Sequence, residues 1–300
     1  MQRRDVPGTV RATLVAAIVS LAAGAAAGQG RGGQSDVPRT PWGHPDLQGV
    51  WTHTTTVPLE SLAAPGESPA ATAAEAEAAG SAPLVVDTAD GRLPPLTARG
   101  RQRADAGAHD FPDGSVPVAS WQELSLFDRC ITRGLPGAMS PGVYSQNYQI
   151  MQTPTHAVLI VGMMRDSRII PIDGRPHVGE GIRQWLGDSR GYWDGDTLVV
   201  ETRNFSRKTN ARMATVFGGS ENLRLVERFT RIEADTLGYR FTFEDPDEFT
   251  QPWTAAIELT RSEGTVLEHA CHEGNYAPEG EVITGSGVTE DRTATESGQR

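Results

Sequence analysis

The sequence predicts an all-β protein, an antiparallel meander closing into a barrel, with a long irregular and helical excursion after the first strand. Two observations predict it. From Trp121 to Cys271, short apolar runs rich in β-branched residues alternate with polar ones at a period of two. Asp/Gly and Pro turn signals separate them at a spacing of roughly 8–12 residues, that of antiparallel sandwiches and barrels. The clearest hairpin is Gly191-Tyr192-Trp193, the turn Asp194-Gly195-Asp196, and Thr197–Thr202.

Residues 1–27 read as a cleavable signal peptide. Arg3, Arg4 and Arg11 supply the positive start, Ala12–Ala26 the apolar stretch and Ala25-Ala26-Ala27 the small-x-small site. The stretch is too short and alanine-rich for a membrane span. Arg3-Arg4 leaves twin-arginine export open, although Asp5 follows where an apolar pair is usual. The expected location is secreted or periplasmic.

Residues 28–40, rich in Gly, Gln and Ser, read as a disordered linker. One barrel-like domain is expected over 41–280, starting at Pro41-Trp42-Gly43-His44 and entering its first strand through Asp46–Thr52. Residues 60–115 carry few large apolar side chains and form the excursion, with a helical turn or two over Ala70–Ala79. Strands follow at Tyr148–Gln152, His156–Val161 and Arg168–Ile172, and a short helix at Gly181–Leu186. After the hairpin, Leu223–Arg231, Leu237–Phe243, Trp253–Arg261 and Thr265–Cys271 complete the meander, and 281–300 is a flexible tail.

The formal charge is −11. Removing residues 1–27 takes away three arginines and one aspartate and leaves −13. That balance argues against nucleic acid and against an anionic membrane surface. Lys208 is the only lysine, so lysine-based covalent chemistry has a single candidate. Cys130 and Cys271 form an even pair, read as a disulfide in an oxidising compartment; two buried free thiols are the alternative.

Gly49-Val50-Trp51 resembles the G-x-W element of lipocalins and other calycins, in which the tryptophan closes the bottom of a barrel. A second resemblance spans most of the mature chain: Pro45–Trp51, Arg129–Pro136, Ile170–His177, Asp188–Thr202 and Ala270–Tyr276 are similar to a large group of secreted bacterial proteins with no established activity. It implies export and one coherent domain, and carries over no catalytic residue.

Two segments concentrate polar groups with no evident structural task. The first is Asp173-Gly174-Arg175-Pro176-His177 with Asp188 and Arg190. A His beside an Asp suits acid–base work, and an Arg's planar fork suits a carboxylate or phosphate. An ion-pair network bracing two loops is the plainer reading. The second is His272-Glu273 with Asn275 and Tyr276, and the Cys271–Tyr276 segment is expected to meet the first at one end of the barrel. His269, Cys271 and His272 are ligand types, but strand parity splits 269 and 271 from 272, so no metal is expected. Neither a phosphate-cradling glycine loop nor a haem motif is present, and no cofactor is expected. Trp193 is a further ligand-binding candidate. Glu227 shares a face with Leu225 and Phe229; burial would protonate it, and an arginine partner would keep it charged.

Three functions compete: a binder of a small, partly apolar molecule in a barrel cavity, an envelope enzyme of hydrolase or isomerase type using His177, Asp173, Asp188, His272 or Glu273, and a structural envelope protein without ligand.

Overall fold

Alternation of apolar and polar residues sets the architecture. Among the residues that the computed structural model describes (37–53, 84–106, 126–127, 129–140, 147–207 and 219–273), nine strands form. They are β1 (Gly49–Thr52), β2 (Asn147–Gln152), β3 (His156–Val161), β4 (Ser167–Pro171), β5 (Asp188–Asp194), β6 (Thr197–Arg203), β7 (Arg224–Glu233), β8 (Thr236–Glu244) and β9 (Trp253–Ser262). One α-helix, α1 (Ala98–Ala106), lies between β1 and β2. The expected signal segment, most of the expected linker, the expected helical turns over Ala70–Ala79, Trp121, Lys208, Asn275, Tyr276 and residues 281–300 lie outside the described residues.

The strands make one antiparallel sheet in the order β4-β3-β2-β1-β9-β8-β7-β6-β5. Alternate residues of each strand face one shared core. Trp51, Tyr148, Leu159, Ile170, Val200, Leu225, Phe229, Tyr239, Phe241, Phe243 and Trp253 are all buried there. Phe243 stacks on Trp253 at 5.3 Å, and Phe241 meets the same indole edge-on at 5.5 Å.

The expected closure into a barrel does not occur. In nine alternating strands the first and last point the same way, so β4 and β5 cannot form the antiparallel ladder that would finish a barrel. The two edges still approach each other. A Cβ added to Gly191 of β5 would lie 2.7 Å from Ile172 Cγ2, so a side chain there would push the edges apart. Residues 172–187 form the long return that joins two strands of like direction.

Two further expectations fail. Thr265–Cys271 is irregular: β9 is already paired with β8 and β1, so the chain beyond Ser262 finds no free edge beside it. Gly181–Leu186 is not helical. Gln184 instead bridges Phe205, donating to Asn204 O and accepting from Ser206 N. The excursion also adds to the core, since Leu84 and Val85 are buried and Val85 bridges Ala255. Arg39 bridges Pro45, and Thr40 is buried. Trp51 donates its indole N–H to Leu47 O at 2.9 Å and carries the Arg231 guanidinium over its ring at 4.9 Å.

Cys130 and Cys271 form a disulfide with Cα atoms 5.7 Å apart. It fastens the irregular segment after β9 to the loop before β2 across a sequence separation of 141. A cross-link of that span removes a large share of the unfolded chain's freedom. Replacing both cysteines by serine is therefore expected to lower stability by about 4–5 kcal/mol in the chain-entropy account, read as the shift in a urea unfolding curve.

Candidate functional site

Polar side chains converge in three places. The first is inside the core. Arg168 of β4 and Glu227 of β7 are both almost fully buried, and their side chains form a bidentate pair. Arg168 Nη1 donates to Glu227 Oε1 at 2.9 Å, and Nη2 reaches Oε2 as well as Ser189 Oγ and Thr202 Oγ1 at 3.2 and 3.3 Å. Tyr239 O–H donates to Glu227 Oε1 at 2.9 Å. The arginine thus spans β4, β5, β6 and β7, with β8 joined through the tyrosine. Burial lowers the arginine's pKa, but the Glu227 charge and hydrogen bonds outweigh it and leave it raised. Burial, then the Glu227 charge, drives the Tyr239 hydroxyl well above its ordinary value. The partner that sequence left undecided for Glu227 is therefore an arginine.

The second place is on the return between β4 and β5. His177 Nδ1 lies 2.8 Å from Asp188 Oδ2, which also accepts from Val178 N at 3.0 Å, and Arg190 Nη1 donates to Asp188 Oδ1 at 2.6 Å. Arg190 Nε donates to Pro176 O at 2.8 Å. His177 Nε2 faces Glu201 Oε1 at 3.6 Å. Burial raises the Glu201 carboxyl, but hydrogen bonds and charge from Arg224 and Arg203 bring it below its ordinary range. Each Asp188 oxygen is in use, so the group ties the return to β5 and β6; acid–base chemistry at Nε2 would require a substrate to enter between it and Glu201. Asp173 and Arg175 pair with each other at the surface, and the Arg175 hydrogen bond holds the Asp173 carboxyl down at about 2. Trp193 lies elsewhere, stacked on His44 at 4.6 Å.

The third place is a cleft of about 400 Å³ at the disulfide, lined by Cys130, Met164, Glu268, His269, Ala270, Cys271, His272 and Glu273. Arg165 pairs with Glu268 at 3.2 Å. Cys130, Met164 and Arg165 all adopt left-handed backbone conformations, with φ of 57°, 58° and 53°. Such conformations are costly for residues with a Cβ, and in folded proteins they gather at functional sites. Exposed apolar side chains, Ile131 and Leu267, lie next to these segments in the chain.

The 173–190 and 271–276 segments, expected to meet, make separate contacts in their described residues: the first bonds within itself and to β6, and Cys271, His272 and Glu273 line a cleft with Cys130 and Met164. Sequence reasoning missed Arg168, Tyr239, Met164, Arg165 and Asp166. For Arg168 a signal existed, since it shares strand parity with Ile170 and Ile172. Among the described residues no group of three His, Cys, Asp or Glu could hold a metal ion, and no helix is long and apolar enough to cross a membrane.

No family model and no curated protein matches the chain. Among solved structures it is similar to a secretary abundant heat soluble (SAHS) protein from Ramazzottius varieornatus, at 14% identity and a TM-score of 0.28, over 46% of this chain and 87% of that one.

Removing one partner of the core pair strands a buried charge. Arg168→Met alone is expected to cost about 3–5 kcal/mol, whereas the triple change Arg168→Met, Glu227→Met, Tyr239→Phe should recover most of it; urea midpoints of the two variants test this. A second expectation concerns Asp166, beside the cleft. Burial pushes it up to about 6 against the pull of Thr132 Oγ1, 2.7 Å away, the Arg133 N–H and the Arg168 charge. Its folded-state value lies above the ordinary 3.8, so the folded protein holds this proton more tightly than the unfolded chain does. The ionised carboxylate therefore opposes folding above about pH 6, and the opposition fades as pH falls toward about 4. Asp166→Asn should be more stable than the parent near neutrality, and that advantage should shrink across the same window in urea titrations.

Proposed function

We propose that the protein is exported and binds a small, partly apolar molecule, and that the molecule sits in the cleft at the disulfide. The observation that carries this reading is the gathering of left-handed Cys130, Met164 and Arg165 around a cleft that also holds two imidazoles. Backbone strain needs a reason, and a shaped ligand site is one. Met164, Ala270 and the disulfide offer an apolar wall, while His269, His272, Glu268 and Glu273 offer hydrogen-bonding groups that orient a ligand. The cross-link supports preorganisation, because it fixes a segment that no strand ladder holds.

The sheet's interior supports a cavity there less well. Its inward positions are taken by Phe241, Phe243, Trp253 and their neighbours, and its charged groups are spent on one another. Export is supported by the signal-like segment 1–27 and by a disulfide, which persists in oxidising compartments.

Native mass spectrometry of the protein purified from its own periplasm tests the reading. Protein carrying a bound small molecule is expected, with the added mass lost in Met164→Ala and His272→Ala while the thermal midpoint holds. Protein that emerges at its bare mass, or an adduct that survives both substitutions, would overturn it.

A further inference from the structure

We infer that a second cleft, of about 310 Å³ beside α1, is a binding site for a small organic oxyanion, carboxylate or phosphate in chemistry. It is lined by Arg99, Gln102, Arg103, Arg207, Ser220 and Glu221. The site stands apart from the disulfide cleft, and the two proposals stand or fall separately.

Helical spacing builds one wall. Residues 99, 102 and 103 lie at i, i+3 and i+4 and so share one face of α1. Thr97 Oγ1 caps the first turn by accepting from Gly100 N at 2.9 Å. Gly100 lets the helix come close: a Cβ there would lie 2.3 Å from Glu248 O. The opposite wall is equally tight, since a Cβ on Gly219 would meet Leu223 Cδ2 at 2.4 Å. Arg103 spans the two walls, donating to Gly219 O at 3.1 Å and pairing with Glu248.

Three guanidinium groups and one carboxylate, Glu221, line this cleft, and the carboxylates of Asp247 and Glu248 pair with Arg99 and Arg103 behind the lining. Arg99 meets Asp247 through one Nη at 3.2 Å, and Arg207 meets Glu221 through Nε. Both side chains are largely exposed, at 57% and 74%, and each guanidinium has N–H groups beyond the one used in its ion pair. An arginine fork matches the planar or tetrahedral oxygens of an oxyanion and can donate to two at once. Glu221 is shared between Arg207 and Arg183, which approaches it at 3.5 Å. Ser220 is anchored by Asp245, whose Oδ1 accepts from Ser220 Oγ at 2.9 Å and whose other oxygen accepts from Ser220 N.

The carboxylates behind Arg103 give the site a pH signature. Glu248 is faced by Arg103 and Arg99 from α1 and by Asp245 and Asp247 from its own turn. Burial, with those two aspartates, raises it to about 7 against the two arginines. Its proton removes a negative charge from behind the cleft as pH falls through that value, so an anion should bind more tightly on the acid side.

Isothermal titration of the full-length protein with citrate, and separately with inorganic phosphate, tests the site at low ionic strength. The control is sodium chloride at equal ionic strength. At least one of the two anions is expected to bind and, after correction for the ligand's own protonation over this range, several-fold tighter at pH near 6 than near 8. The double change Arg99→Gln, Arg207→Gln should weaken it by about a hundredfold, as loss of two charge-assisted contacts implies. Arg101→Gln, in the same helix but outside the cleft, should leave affinity unchanged. Glu248→Gln should tighten binding and flatten the pH dependence. Circular dichroism confirms that each variant folds; Arg99 and Arg207 are exposed enough to change without disturbing the core. Failure of both anions to bind, an effect that chloride reproduces, or equal losses in Arg101→Gln and the double variant would overturn the proposal.

Discussion

The rest of the structure depends on how a sheet of nine strands manages its two edges. With every neighbour antiparallel, β4 and β5 run in the same direction and no ladder joins them. Arg168 spans that seam instead. One guanidinium bonds to Ser189 on β5, Thr202 on β6 and Glu227 on β7, and the carboxylate it holds also takes the Tyr239 hydroxyl from β8. Backbone hydrogen bonds would have spread this task along a strand; here one desolvated ion pair carries it. A buried pair of this kind gains little net stability over an apolar replacement. What it adds is a tie between the two edges, since one guanidinium reaches Ser189, Thr202 and Glu227 together.

The strands were legible because half-buried strands write their period into the sequence. Leu225, Glu227 and Phe229 on β7, and Tyr239, Phe241 and Phe243 on β8, fall on one face by parity alone and lie there in the structure. Closure was expected from the turn spacing and from the Gly49-Val50-Trp51 resemblance, and neither says which two edges meet or in which direction they run. Thr265–Cys271 was also expected to be a strand and is not. Whether a strand-like segment forms a strand depends on a free edge beside it, and parity carries no information about edges. Gly181–Leu186 failed in the same way, since a bridge to Phe205 captured Gln184 where a helix turn was expected.

Parity also explains why the core pair was half seen. It turns Glu227 inward, and it turns Arg168 inward beside Ile170 and Ile172, but strand alternation cannot say that two inward charges from distant strands will meet. Opposite charges on apolar faces are a signal that they must, because an isolated buried charge costs several kcal/mol. The polar segments behaved differently. Asp173 and Arg175 satisfy each other two residues apart, and His177, Asp188 and Arg190 close a local network. Groups that can be satisfied nearby have no need of a distant partner, so the density of polar residues in two segments did not bring the segments together.

Two ties that are not ladders hold the molecule where ladders end, one inside β4 and one beside the turn that precedes it. Arg168 fastens the strand from within. The disulfide fastens the segment after β9 against Cys130, across a cleft whose wall includes Met164 in the turn that starts β4. Met164, Arg165 and Asp166 immediately precede the strand, and Asp166 is held by Thr132 from the same loop as Cys130. The left-handed backbone at Met164 and Arg165 thus fixes the shape of the cleft and also where β4 begins. Because Arg168 is the second residue of that strand, the turn that walls the cleft also sets how the guanidinium enters the core. The left-handed turn at Met164 and Arg165, the cleft wall and the arginine of the buried ion pair are consecutive parts of one piece of chain, so a change of backbone at the rim reaches the filled interior within four residues.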